Sequence, residues 1–170
     1  MTDTKNLFAL NDYIVDFENI YQIFEQKNQK NYSGQNIEYF FYRSVSPNSR
    51  DQQIICSTPI QNIAKSGLRH LITSQNAKDF YKQLEEKIDE TNLIDPKLIK
   101  ETLYLNDLPK NLNILKQLFA EKNKAPETFS RANKELTENI LNHTCDEIAF
   151  VTDKPVATVK TKIVSVLSKI

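Results

Sequence analysis

Four short runs that mix apolar and polar positions come first along the chain: DYIVDF (12–17), IYQIFEQ (20–26), IEYFFYRSV (37–45) and QQIICSTP (52–59). Each is rich in β-branched and aromatic residues. Turn-forming stretches, KNQKNYSGQN (27–36) and SPNSRD (46–51), lie between them. The pattern predicts strands, and turn signals recurring about every ten residues predict a small antiparallel sheet or barrel. Alternation along the third run puts Tyr39, Phe41 and Arg43 on one face and Phe40 and Tyr42 on the other. Aromatic bulk on both sides implies a curled sheet covered on both faces, or one with a sticky outer face.

After Thr73 the period changes from two to that of a helix. In SQNAKDFYKQLEEKI (74–88), Ala77, Phe80, Tyr81, Leu84 and Ile88 fall on one stripe, with Ser74 as the N-cap. DPKLIKETLYL (95–105) opens with Asp95 as cap and Pro96 at the first helical position. PKNLNILKQLFAEKN (109–123) aligns Leu112, Leu115, Leu118 and Phe119. A long helical candidate covers 126–151, with a break expected near His143 and Thr144, and a last helix covers 153–170. The chain is therefore expected to be α+β, with a β domain over 1–73 and an all-helical bundle over 74–170.

Composition adds mostly exclusions. Twenty-two basic residues balance twenty-two acidic ones, so no bulk field draws the chain to a polyanion, although a local basic face stays open. No apolar run approaches the ~18 residues of a membrane span. The N-terminal stretch lacks the basic start and apolar core of a signal peptide. Two distant cysteines, Cys56 and Cys145, fit a reducing compartment. These features together place the chain in the cytoplasm, away from membranes.

Candidate chemistry is sparse. His143, Cys145 and Cys56 lack the spacing of a metal motif, and His70 stands beside Arg69. Phosphate loops and nucleophile elbows need glycines, and the chain has two. No enzyme, metal, cofactor or small-molecule substrate is expected.

One of the two glycines carries more information. In PIQNIAKSGLRHLI (59–72) a strand ends at Pro59; Gly67, Leu68 and Arg69 follow, then Leu71 and Ile72, and the helical pattern begins. This order resembles the end of the RNA polymerase-interacting domain of the CarD/CdnL family of bacterial transcription regulators, a domain shared with transcription-repair coupling factors. FALNDYIVDF (8–17) is similar to the opening strand of that family, with Asn11 where the family has glycine. GQNIEYFFYR (34–43) matches a family glycine ahead of an aromatic strand, and the helices ending in 146–167 look like the family's C-terminal domain. The family's Tyr-Pro-x-x-Gly-Val-Gly turn is absent from DFENIYQI (16–23), where Asn19 is the candidate for a left-handed turn position. Gly67 is expected to be the turn by which the chain leaves the sheet and enters the bundle.

The resemblance implies a small Tudor-like β-barrel followed by the helical bundle, and a non-enzymatic regulator that binds the RNA polymerase β subunit and modulates promoter complex stability. Polymerase contacts would then fall on Lys30, Arg43, Ile54, Ile55 and Ser57, through an exposed strand; the other assignment for Ile54 is the barrel core. Family members wedge a tryptophan into the minor groove of promoter DNA, and this chain has none. Leu93 stands near that position between Asp89, Glu90 and Asp95, either as a wedge or as packing between helices. Lys97, Lys100 and Lys110 are the candidate phosphate contacts. Two alternatives remain: an interaction module that has lost DNA contact, and a helix-turn-helix over 147–163 with Thr158, Lys160 and Lys162 facing the major groove. Against the helix-turn-helix, Ile148, Val156, Val159 and Ile163 would instead be bundle core.

Overall fold

A computed structural model describes residues 8–16, 19–45, 54–87, 99 and 107–170. The chain divides into two compact units, Met1–Leu71 and Ile72–Ile170. The first is an antiparallel sheet and the second consists of helices, so the protein is α+β.

The sheet contains β1 (Tyr13–Asp16), β2 (Asn19–Lys30), β3 (Asn36–Ser44), β4 (Ile55–Pro59) and β5 (Arg69–His70), in the order β4-β3-β2-β1-β5. It is open: β4 and β5 are its edges, and neither pairs with the other. The inner face carries Ile14, Ile23, Phe40 and Tyr42, which pack with Phe8, Ile63 and Leu68. Alternation puts these strand residues on one face, although Val15, Ile20 and Phe41 of the other face are buried too. Burial of Ile14 or Ile23, both fully buried, contributes about 1.5–3 kcal/mol each. A bulge between Ile23 and Glu25 breaks the β2–β3 register and adds local twist.

The turn positions differ from expectation in two places. Asn19 is not left-handed; it opens β2 and pairs with Asp16. Asn11 takes the left-handed conformation instead, at φ 70°. There Ala9 N–H donates to Asp12 Oδ2 at 2.7 Å, which ties the residues on either side of Asn11 together. Gly67 is also left-handed, φ 76°, as the C-cap of α1 (Ile63–Ser66). It does not send the chain directly into the helices. It turns it back onto the sheet, where β5 pairs with β1 through Ile14–His70 and Val15–Arg69.

The second unit holds α2 (Ser74–Glu85), α3 (Leu108–Lys124), α4 (Arg131–Thr152) and α5 (Val156–Leu167). The N-cap of α2 is Thr73, not Ser74. Thr73 is extended, its hydroxyl accepts from Asn76 N–H at 3.1 Å, and the Asn76 side chain accepts from Thr73 N–H at 3.0 Å, a reciprocal capping box. Ser74 donates its hydroxyl to Val151 O. The expected break at His143 and Thr144 does not occur. Helix α4 runs unbroken for 22 residues because Leu141, Thr144, Cys145 and Ile148 are all buried there, and that packing outweighs the weak helix propensity of threonine. The helix expected over 95–105 lies outside the described residues apart from Ile99, which packs on the helical core.

The helical core gathers Ala77, Phe80 and Leu84 of α2 with Leu112, Leu115, Leu118 and Phe119 of α3. Ile148, Val159 and Ile163 belong to it, as expected, whereas Val156, expected there, is exposed. Lys116 is buried as well. Its ammonium donates to the carbonyls of Gln83, which also accepts from Glu86 N–H, and of Glu86, so it caps the C-terminus of α2, where carbonyls lack the regular helical partners. Burial lowers the Lys116 pKa, with Glu86 opposing. No described helix is long and apolar enough to cross a membrane.

Candidate protein-docking surface

Cross-strand partners share a face, so the register defines the outer surface of the sheet. One row runs Tyr13–Gln22–Arg43–Ile55 across four strands. The next pairs Glu25 with Phe41 and Phe41 with Ser57, and a third runs Lys27–Tyr39–Pro59. Two cations lie over rings on this surface: the Arg43 guanidinium 5.5 Å from the Phe24 centroid, and the Lys27 ammonium 4.7 Å from that of Phe41. Tyr39 packs against Phe41 at 6.3 Å. Such cation–ring contacts are worth about 0.5–1 kcal/mol each at exposed sites, and they hold the long side chains flat against the sheet.

The open edge is β4. Ile54 and Ile55 are exposed at 52% and 61%, and among the described residues no strand pairs with the second edge of β4. Its outward backbone donors and acceptors form a template for another strand. The strand itself is held from behind. Tyr42 donates its hydroxyl to Asp16 at 3.0 Å and lies 3.1 Å from the Thr58 hydroxyl, which links β1, β3 and β4 across the curl of the sheet. Burial raises the pKa of Asp16, against the pull of the Tyr42 hydrogen bond. Burial is also the largest cause that raises the Tyr42 hydroxyl, with Asp16 adding to it.

Of the residues expected to meet polymerase, the fold brings three together: Arg43 and Ile55 are direct cross-strand partners, and Ser57 follows on the same face. Ile54 immediately precedes β4 and is not barrel core. Lys30 stands apart, at the far end of β2 opposite Asn36. Phe24 and Lys27 were not singled out from the sequence. The bulge beside Phe24 shifts the alternation that would have placed it.

Among the candidate DNA residues, Leu93, Lys97 and Lys100 lie outside the described residues. Lys110 pairs with Asp107, 3.6 Å away in the first turn of α3. The groove-facing lysines of the helix-turn-helix alternative are occupied within the helical unit. Lys160 donates to Glu138 and Asn142 of α4, and the Lys162 ammonium lies 3.9 Å from the Tyr81 ring centroid. Thr158 remains exposed. Among the described residues no group of three His, Cys, Asp or Glu side chains is placed to hold a metal.

Compared with known proteins, the chain matches no family model and no curated protein sequence.

Proposed function

We propose that this chain is a non-enzymatic transcription regulator of the CarD/CdnL type, acting in the cytoplasm by docking on the RNA polymerase β subunit. The observation that carries the proposal is the open β4 edge, with Ile54 and Ile55 in solvent and Arg43 beside them. An added strand would gain backbone hydrogen bonds along that edge, and Arg43 would select a partner carrying carboxylates. The resemblance over 8–72 supplies the identity of the partner. In this view the open sheet corresponds to the Tudor-like barrel of the family, and the helices to its bundle. Docking would modulate the stability of the promoter complex.

A second reading, an interaction module without DNA contact, is favoured by the missing tryptophan and by the pairing of Lys110 with Asp107. One experiment separates the two. The full chain is titrated onto an immobilised polymerase β-subunit fragment, with and without forked promoter DNA. Tighter binding with DNA supports the regulator that contacts promoter DNA; binding indifferent to DNA supports the pure interaction module. Absence of polymerase binding overturns both. Arg43→Ala, on an exposed side chain, should weaken docking at least about tenfold, or ~1.4 kcal/mol.

A further inference from the structure

Beyond Tyr39 the β2–β3 pair continues without β4, which pairs only with Tyr39 to Arg43. The remainder, out to Lys30 and Asn36, is a two-stranded ribbon with exposed side chains over 26–30 and 32–36. Free-standing ribbons are marginal in water, yet this one ends in a tightly tied turn. The Asn31 side-chain oxygen accepts from the N–H groups of Ser33 and Gln35, both at 2.9 Å. Asn31 N–H donates to Gln35 O, and Gly34 N–H donates to Asn31 O. Gly34 is left-handed at φ 77°, with open space around it. At the tip Tyr32 is fully exposed.

Around the tip, residues 29–37 contain Lys30 and no acidic residue. Nearer the sheet, Glu38 of the ribbon accepts from Gln26, and Lys27 pairs with Glu25. Ile37 is the single aliphatic residue in the stretch, so the ribbon has little apolar area with which to anchor a protein partner. Its Lys, Asn, Gln, Ser and Tyr side chains are the types that contact phosphate and sugar. An exposed ring on a rigid turn is a stacking platform, since every base offers a π-face. Order fixed in advance reduces the entropy lost on binding.

We infer that the tip of the β2–β3 hairpin binds single-stranded nucleic acid, with Tyr32 stacking on an unpaired base and Lys30 meeting the adjacent phosphate. The inference is independent of polymerase docking, and its test contains no polymerase. Fluorescence anisotropy of a labelled single-stranded oligonucleotide, titrated with the full chain at low salt, gives the affinity. Tyr32→Ala should weaken binding at least about fivefold, while Tyr32→Phe, which keeps the ring, should bind as the parent does. Lys30→Ala should flatten the salt dependence by about 0.7 in the slope of log affinity against log salt, the value for one phosphate on a single strand. The inference is overturned if the parent does not bind the oligonucleotide, if it prefers duplex, or if Tyr32→Ala binds equally well. It is overturned too if Tyr32→Phe loses as much as Tyr32→Ala, which would mean a hydroxyl contact in place of stacking.

Discussion

The backbone N–H of Ile72 donates to Glu147 Oε1 at 2.9 Å, across 75 residues of sequence. Glu147 is buried in the C-terminal part of α4, the longest helix among the described residues, and its carboxylate anchors the first residue of the helical unit just ahead of the Thr73 cap. A buried carboxylate is tolerated when it accepts hydrogen bonds, and here it satisfies a donor that no helix or strand uses. Glu147→Ala should therefore cost about 1–3 kcal/mol in urea unfolding, the penalty for a buried donor left without a partner. Glu147→Gln keeps an acceptor and should lose less than Glu147→Ala. Equal losses in the two variants would mean that the charge of the carboxylate, not a neutral acceptor or packing, is what Glu147 supplies.

Asp16 should make the sheet less stable as pH rises. Burial raises its folded pKa, so the folded state holds the proton more tightly than the unfolded chain does. Stability from this site is then greatest below the unfolded value, about 4, and is lost as pH climbs through the raised folded value. Asp16→Asn removes the titration and still offers an oxygen to the Tyr42 hydroxyl. The variant should match or exceed the parent at pH 7, and its advantage should shrink towards pH 4. Urea midpoints measured across that range test the sign; an advantage that grows on acidification would contradict it.

Cys145 should be chemically silent while the protein is folded. Its side chain is fully buried and its thiol is pushed up to about 12, chiefly by burial. The thiolate is the reactive form, so alkylation at pH 8 should run more than about a thousandfold slower than for an unperturbed thiol near 8.5. Mass spectrometry after iodoacetamide treatment, with and without urea, reads this directly. Rapid labelling of native Cys145 would show that α4 opens locally.

Asp153 closes α4 in the left-handed region, at φ 51°. Glycine reaches that conformation without the strain a Cβ brings. Asp153→Gly should thus be neutral or stabilising by up to about 1 kcal/mol, and Asp153→Ala destabilising by about 1 kcal/mol. Thermal midpoints of the two variants should move in opposite directions or differ by several degrees. The same ordering is expected at Asn11, the other non-glycine left-handed position among the described residues.

Strand and helix identities were legible because hydrophobic period reports which face of an element is buried. Phe40 and Tyr42 went inward as alternation required, and Leu112, Leu115, Leu118 and Phe119 formed one buried stripe. Local chemistry was less reliable. Ser74 and Thr73 are equally good caps by composition, and only backbone conformation chose Thr73. The unbroken passage of α4 through Thr144 was hidden because the burial that stabilises it comes from residues distant in sequence. At the candidate docking surface, Arg43, Ile55 and Ser57 were in view, but Phe24 was not, because one bulge displaces it from the simple pattern.

By itself, the sequence determined the α+β order, the faces of the strands and the apolar stripes of the helices, since these depend on spacing along the chain. Only the tertiary structure decided that the sheet stays open at β4, that Gly67 returns the chain to the sheet, and that Lys116 and Glu147 are buried with backbone partners. Those outcomes depend on which groups meet across tens of residues. A lysine or glutamate at a given position is polar in every local window, and it becomes a buried structural ligand only when a distant backbone group needs it.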